Sequence, residues 1–131
     1  MKCETEKRIL VVDDEDVILF SYKKIFQGDM LVVDVSRDPE TAMEMIRDNS
    51  YNAVISDIRF SDSESMEGLD IIRYVREKCP ETVVILMTGY GSSEIREKAL
   101  ELGTDFYFDK PVAISTIENT LMNLGILSGK D

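Results

Sequence analysis

The chain has 131 residues, 44% of them apolar and 31% charged, which suits one domain built on one hydrophobic core. Its formal net charge of -11 opposes general nucleic-acid binding, which needs clustered Lys and Arg, and equally opposes docking on anionic lipid. The absence of His excludes imidazole general-base chemistry, His-ligated zinc and a phosphohistidine carried by the chain itself.

Along the chain, apolar runs alternate five times with segments of helical period. Ile9 to Val12 is a β-branched run that ends in Asp13-Asp14 and predicts a buried parallel strand. Ile18, Tyr22, Ile25 and Phe26 then share a helical face that closes at Gly28. Leu31 to Val35 predicts the second strand, and Ala42, Met45 and Ile46 a second helix with Pro39 in its first turn. Ala53 to Ser56 predicts the third strand, with Asp57 at its carboxyl end. After the polar stretch Ser61 to Ser65, a helix carries Leu69, Ile72 and Val75. Thr82 to Met87 predicts the fourth strand, and Thr88-Gly89-Tyr90-Gly91 reads as a turn. Ile95, Ala99 and Leu102 mark a fourth helix closed by Gly103, Phe106 to Phe108 a short fifth strand, and Ile114, Ile117, Leu121 and Leu124 a last helix.

Five such repeats with short connections predict an α/β fold: a doubly wound parallel sheet with helices on both faces and right-handed crossovers. No linker or second domain interrupts the pattern, so residues 1–131 are expected to form a single domain with its core at about 8–124. Cys3 and Cys79 make no paired motif and read as reduced thiols. The start, MKCETEKRILVVDD, shows no signal region and no apolar run is long enough to span a bilayer, so the expected location is cytoplasmic.

In open parallel sheets, chemistry collects at the carboxyl ends of the strands. Here those ends offer Asp13-Asp14, Asp57, Thr88 and Lys110-Pro111. Each has an ordinary reading alone: Asp13-Asp14 as a helix cap, Asp57 as a loop cap, Thr88 as a turn residue, Lys110-Pro111 as a helix start. Together they make three carboxylates, one hydroxyl and one ammonium on one edge. Such carboxylates repel unless a cation neutralises them, and Mg2+, or Mn2+ in its place, suits a site of few carboxylates completed by phosphate oxygens. A carboxylate is also a competent nucleophile toward phosphorus, and phosphoryl transfer needs little beyond positioning and charge neutralisation.

At ILVVDDE, AVISDIR, EGLDIIR, VVILMTGYG and ALELGTDFYFDKP the sequence resembles the response-regulator receiver domains of two-component signalling, over about Arg8 to Leu124. The resemblance implies a flavodoxin-like strand order 2-1-3-4-5. It implies Asp57 as phosphoacceptor, Asp14 as a direct Mg2+ ligand, Asp13 as a ligand through water, and the Arg59 backbone carbonyl as a further ligand. Thr88 and Lys110 match residues that contact the phosphoryl group. The Lys110-Pro111 peptide matches a bond usually cis in the family. Tyr107 matches an aromatic residue that turns inward with Thr88 on activation. Along the fifth strand Phe106 and Phe108 point to one face and Tyr107 to the other, where Tyr107 either packs on the fourth helix or lies in solvent. The implied phosphodonor is a histidine kinase or a phosphotransfer protein. Output would pass through a protein effector, or a domain missing from this chain, with no direct nucleic-acid or membrane contact.

Three departures from the family pattern stand out. The loop IRFSDSESMEGLD is longer than usual and lacks a Pro, and its acidic residues Asp62, Glu64 and Glu67 read as a solvated surface. Arg59 and Tyr90 are bulky at the mouth of the site, where they would restrict attacking water, while Gly89 leaves the phosphoryl position open. The last helix carries no Lys or Arg between Val112 and Gly129, so a dimer resting on a basic residue there is not expected; the chain reads as a monomer or weak dimer. Competing functions fit less well. A phosphohydrolase would want an acid at Arg59, and a flavin carrier would want a Gly- and hydroxyl-rich loop where Asp13, Asp14 and Glu15 stand. A module indifferent to phosphorylation has no use for the acidic set.

Overall fold

Ile9, Leu10, Val11 and Val12 are all buried in the computed structural model of the chain, which describes residues 7–28, 31–58, 67–88, 93–110 and 112–127. A run buried on both faces is the mark of a central parallel strand, and the structure bears this out. The strands are β1 (Lys7–Val12), β2 (Leu31–Ser36), β3 (Ala53–Ile58), β4 (Val83–Thr88) and β5 (Phe106–Asp109). Between and after them run α1 (Asp16–Phe26), α2 (Pro39–Asp48), α3 (Glu67–Lys78), α4 (Ser93–Glu101) and α5 (Ile114–Asn123). The five strands form one parallel sheet in the order β2-β1-β3-β4-β5. The order reverses between β1 and β3, so the carboxyl ends of these two strands border the crevice where such sheets bind ligands.

Alternation along each strand sends side chains to two cores. Ile9, Val11, Ile55, Ile85 and Met87 join Leu19, Tyr22 and Phe26 of α1 and Ile117 and Leu121 of α5. Leu10, Val12, Val54, Val84 and Leu86 join Ala42 and Ile46 of α2, Leu69, Ile72 and Val75 of α3, and Ala99 of α4. Full burial of one such Ile or Leu contributes about 1.5–3 kcal/mol. Phe106 and Phe108 lean on the α1/α5 core with stacked rings 6.4 Å apart, while Tyr107 turns to the other core, as the alternation requires.

Helix ends follow local chemistry. Asp38 caps α2 by accepting the Thr41 N–H at 2.7 Å, with Pro39 in the first turn. This hydrogen bond holds the Asp38 carboxyl below its usual pKa. Gly103 follows α4 at φ +106°, a left-handed conformation that Gly adopts without strain, and a Cβ there would lie 3.0 Å from Arg76 Nε.

Three expectations shift. Ile25 is 53% exposed, because the buried stripe of α1 runs through Leu19, Tyr22 and Phe26 and leaves Ile25 on its flank. Leu124 caps α5 and is half-exposed, while Ile126, after the turn at Gly125, covers the core in its place. The fourth strand runs from Val83 to Thr88, so that Thr88 is a buried strand residue, while the rest of the predicted turn lies outside the described residues. Among the described residues, no helix is long and apolar enough to cross a membrane.

Candidate functional site

The carboxyl edge of the sheet gathers the predicted residues. Asp13 follows β1, Asp57 is the penultimate residue of β3, Thr88 ends β4, and Lys110 follows β5. Parallel register sets Thr88 beside Ile58, one residue past Asp57, and the Lys110 N–H donates to the Thr88 carbonyl at 2.8 Å. The ordinary readings of the two flanking motifs fail. Glu15, not Asp13 or Asp14, occupies the N-cap of α1, and α5 begins only at Ile114, with Ala113 as its cap.

One carboxylate oxygen from each of Asp13, Asp14 and Asp57 falls within 4.8 Å of the others. Asp14 is the exposed member of the three. The Asp57 side chain is 1% exposed, and its Oδ2 accepts a hydrogen bond from Lys110 Nζ at 2.8 Å. The same ammonium lies 3.9 Å from Asp13 Oδ2. Burial works against the Lys110 charge, but the hydrogen bond to Asp57 and the charges of Asp57, Asp13 and Glu15 outweigh it and raise its pKa. Asp13 Oδ1 accepts the Glu15 N–H at 2.9 Å. Even so, burial first and the neighbouring Asp57 charge second push the Asp13 carboxyl up to about 6.

Two buried oxygens, Asp13 Oδ2 and Asp57 Oδ1, have no hydrogen-bond partner among the described residues. Buried polar atoms are nearly always satisfied, and an exception points to a missing partner. Three carboxylates against one ammonium leave an excess of two negative charges, and every donor is a hard oxygen. Those are the requirements of a small divalent cation such as Mg2+. The residues present fit the ion.

Tyr107 lies half-buried under α4, so packing on the helix, not solvent, is the outcome of the two predicted for it. Its hydroxyl is buried without a partner among the described residues. The guanidinium of Arg96, on α4, stands 5.4 Å from the centre of its ring. Sequence reasoning did not find Arg96: in α4 it reads as one more surface charge, and only the fold brings it over Tyr107. Arg59, Gly89, Tyr90 and Pro111 lie outside the described residues, and with them the predicted carbonyl ligand, the Lys110-Pro111 peptide and most of the long loop. Cys3 also lies outside them, and Cys79 is a free thiol.

Residues 9–122 match the family described as response regulator receiver domain. A solved structural relative, a CheY-like response regulator receiver domain protein from Methanospirillum hungatei, superposes with a TM-score of 0.82 at 29% identity, over 92% of this chain and 94% of that one. The beryllofluoride-activated DrrB receiver domain superposes with a TM-score of 0.76 at 27% identity, over 91% and 97%. The transcriptional regulatory protein CutR of Streptomyces coelicolor is 32% identical across 118 residues, 90% of this chain and 53% of its own length. The chain thus spans about half the length of that curated relative.

Proposed function

The chain belongs to the response regulator receiver domain family of two-component systems, and from that premise we propose that Asp57 accepts a phosphoryl group and that the protein acts as a Mg2+-dependent signalling switch. The observation that carries this reading is the Asp57 carboxylate itself. One of its oxygens is held by Lys110, the other is buried without a partner among the described residues, and two more carboxylates converge beside it.

In this reading a phosphohistidine on a histidine kinase or a phosphotransfer protein is the donor. An Asp57 oxygen attacks phosphorus, the P–N bond breaks as the P–O bond forms, and the leaving imidazole takes up a proton. Lys110 holds the carboxylate in place and offers its positive charge to the transferred oxygens, and the Thr88 hydroxyl donates to one of them. Asp13, Asp14 and Asp57, with the Arg59 carbonyl, would hold Mg2+ or Mn2+. The ion would supply neutralising charge to the phosphoryl oxygens. By the family resemblance, bulky Arg59 and Tyr90 would limit the water that hydrolyses the acyl phosphate, and Gly89 would keep the phosphoryl position clear. Faster dephosphorylation in Tyr90→Ala or Arg59→Ala is the expected sign.

The chemistry ends with the protein's own phosphorylation and dephosphorylation, so it is a switch and not an enzyme acting on other substrates. Drawing the Thr88 hydroxyl toward the phosphoryl group and locking Tyr107 in its inward position would reshape the face made by α4, β5 and α5. Output then goes to a protein effector or to a further domain. The charge of -11 supports a reader other than nucleic acid or membrane. We place the protein in the cytoplasm, with residues 1–131 as one receiver domain, monomeric or weakly dimeric.

The test uses acetyl phosphate with Mg2+, read by intact-mass spectrometry, and beryllofluoride, read by NMR, beside Asp57→Asn and Mg2+-free samples. A phosphoryl adduct and NMR shifts at Thr88 and Tyr107 that need both Asp57 and Mg2+ are expected. An adduct that persists in Asp57→Asn would refute the assignment.

A further inference from the structure

Tyr107 occupies a position with two opposing energies. Its ring lies against the core that includes Leu10, Leu86 and Ala99, which favours the inward placement. Its hydroxyl, buried there without a partner among the described residues, opposes it, because burial takes that group out of water. Turned outward, the ring would regain water at the hydroxyl and lose the apolar contact. Because the two terms oppose each other, a further modest force can shift the balance.

Arg96 supplies such a force. It stands on α4 one turn before Ala99, whose complete burial fixes that face of the helix toward the sheet. Its guanidinium carbon lies 5.4 Å from the Tyr107 ring centre, within reach of the attraction between a cation and the electron-rich face of an aromatic ring. The attraction exists only while the ring lies under α4.

We infer that Arg96 is a positioning residue: its guanidinium holds the Tyr107 ring under α4 and so sets the resting balance of the Thr88–Tyr107 switch. The inference rests on the receiver reading above. It makes the switch a graded device, tuned by a surface cation on α4 that touches neither the metal site nor Asp57. The apparent affinity for any ligand that selects the inward state scales with how much of that state already exists. Removing the cation therefore weakens the response to a phosphoryl mimic without altering the acceptor.

The test compares wild type with Arg96→Met, which keeps length and loses charge, and Arg96→Lys, which keeps charge. Fluorotyrosine labelling, with Tyr107→Phe to assign the signal, reports the ring position by 19F NMR before any mimic is added. In Arg96→Met the resting Tyr107 signal moves toward its solvent-exposed value. The beryllofluoride midpoint rises, by at most about fivefold, the ceiling set by loss of one exposed cation–π contact. Arg96→Lys recovers part of both effects. An unmoved resting signal in Arg96→Met overturns the inference, as does equal behaviour of the Met and Lys variants. A wild type that does not respond to beryllofluoride sinks the receiver reading and the coupling together. The resting signal still tells whether Arg96 holds the ring.

Discussion

The two edges of the same sheet are both rich in charge, yet they are built on opposite principles. At the amino edge the charges of Arg8, Asp34, Arg76 and Asp105 all find partners. The Arg8 guanidinium donates to Asp34 at 3.1 Å and to Asn49 at 3.2 Å, and Tyr51 donates to the same Asp34 at 2.7 Å. Farther along, Arg76 reaches from α3 to the carbonyls of Gly103, Pro80 and Thr82 and to the Asp105 carboxylate, which in turn accepts the Val84 N–H. At the carboxyl edge three carboxylates crowd around one ammonium, and two buried oxygens go without a partner among the described residues. Closed polar networks hold a fold together, whereas an unclosed one awaits a ligand. The difference separates residues that make the structure from residues that use it.

Predictions that break this contrast run from large to small. Asp57→Asn should abolish acetyl-phosphate labelling while leaving the melting temperature at or above that of wild type, since it removes a charge from the crowded edge. Labelling by mass spectrometry and melting by circular dichroism check both halves. Arg76→Ala should do the reverse. It should cost about 2–3 kcal/mol, as loss of a charged donor to several acceptors does, and keep phosphoacceptor activity in the folded fraction. Urea unfolding measures the cost, and a loss of activity beyond the unfolded fraction would blur the separation of the edges. Mg2+ at a hundredfold above its Kd should stabilise the wild type by about 2.7 kcal/mol. Asp13→Asn should melt higher than wild type without metal and gain little from Mg2+.

The smallest effect lies at Tyr51. Burial, and then the hydrogen bond to Asp34, raise the pKa of its phenol. The folded state therefore keeps this proton at pH values where the unfolded chain, with a phenol pKa near 10, releases it. Stability from this group is whole below about pH 10 and declines as the pH rises beyond it. Tyr51→Phe should cost about 1 kcal/mol at neutral pH and flatten the alkaline decline, as read by chemical unfolding between neutral and alkaline pH. An alkaline limb unchanged by the substitution would mean that another group carries it.

Much of this was legible without coordinates. Runs such as Ile9 to Val12 and Thr82 to Met87 point to strands buried on both faces, because a parallel sheet covered by helices absorbs consecutive apolar side chains. Strand ends could be read as well, and with them the convergence of Asp13, Asp57, Thr88 and Lys110. The order of βα units alone brings the carboxyl ends to one edge. Periodicity was a weaker guide at helix margins: it set Ile25 and Leu124 inward, where packing chose Leu19 and Ile126.

What only the tertiary structure decided are the relations between residues far apart in sequence whose types carry no signal alone. Nothing in the sequence singles out Arg76 or Arg96. One proves to tie α3 to the segments around Gly103 and Asp105, and the other to stand over Tyr107. The same holds for the degree to which Asp13 and Asp57 are deprived of partners, since burial is a property of everything packed around a group and not of its own chain segment. Sequence determined which chemistry stands at the edge of this sheet, because residue type and strand order are local and additive. The fold determined which of those groups are satisfied and which are left poised, because solvent exclusion and long-range contact exist only once the chain has closed on itself.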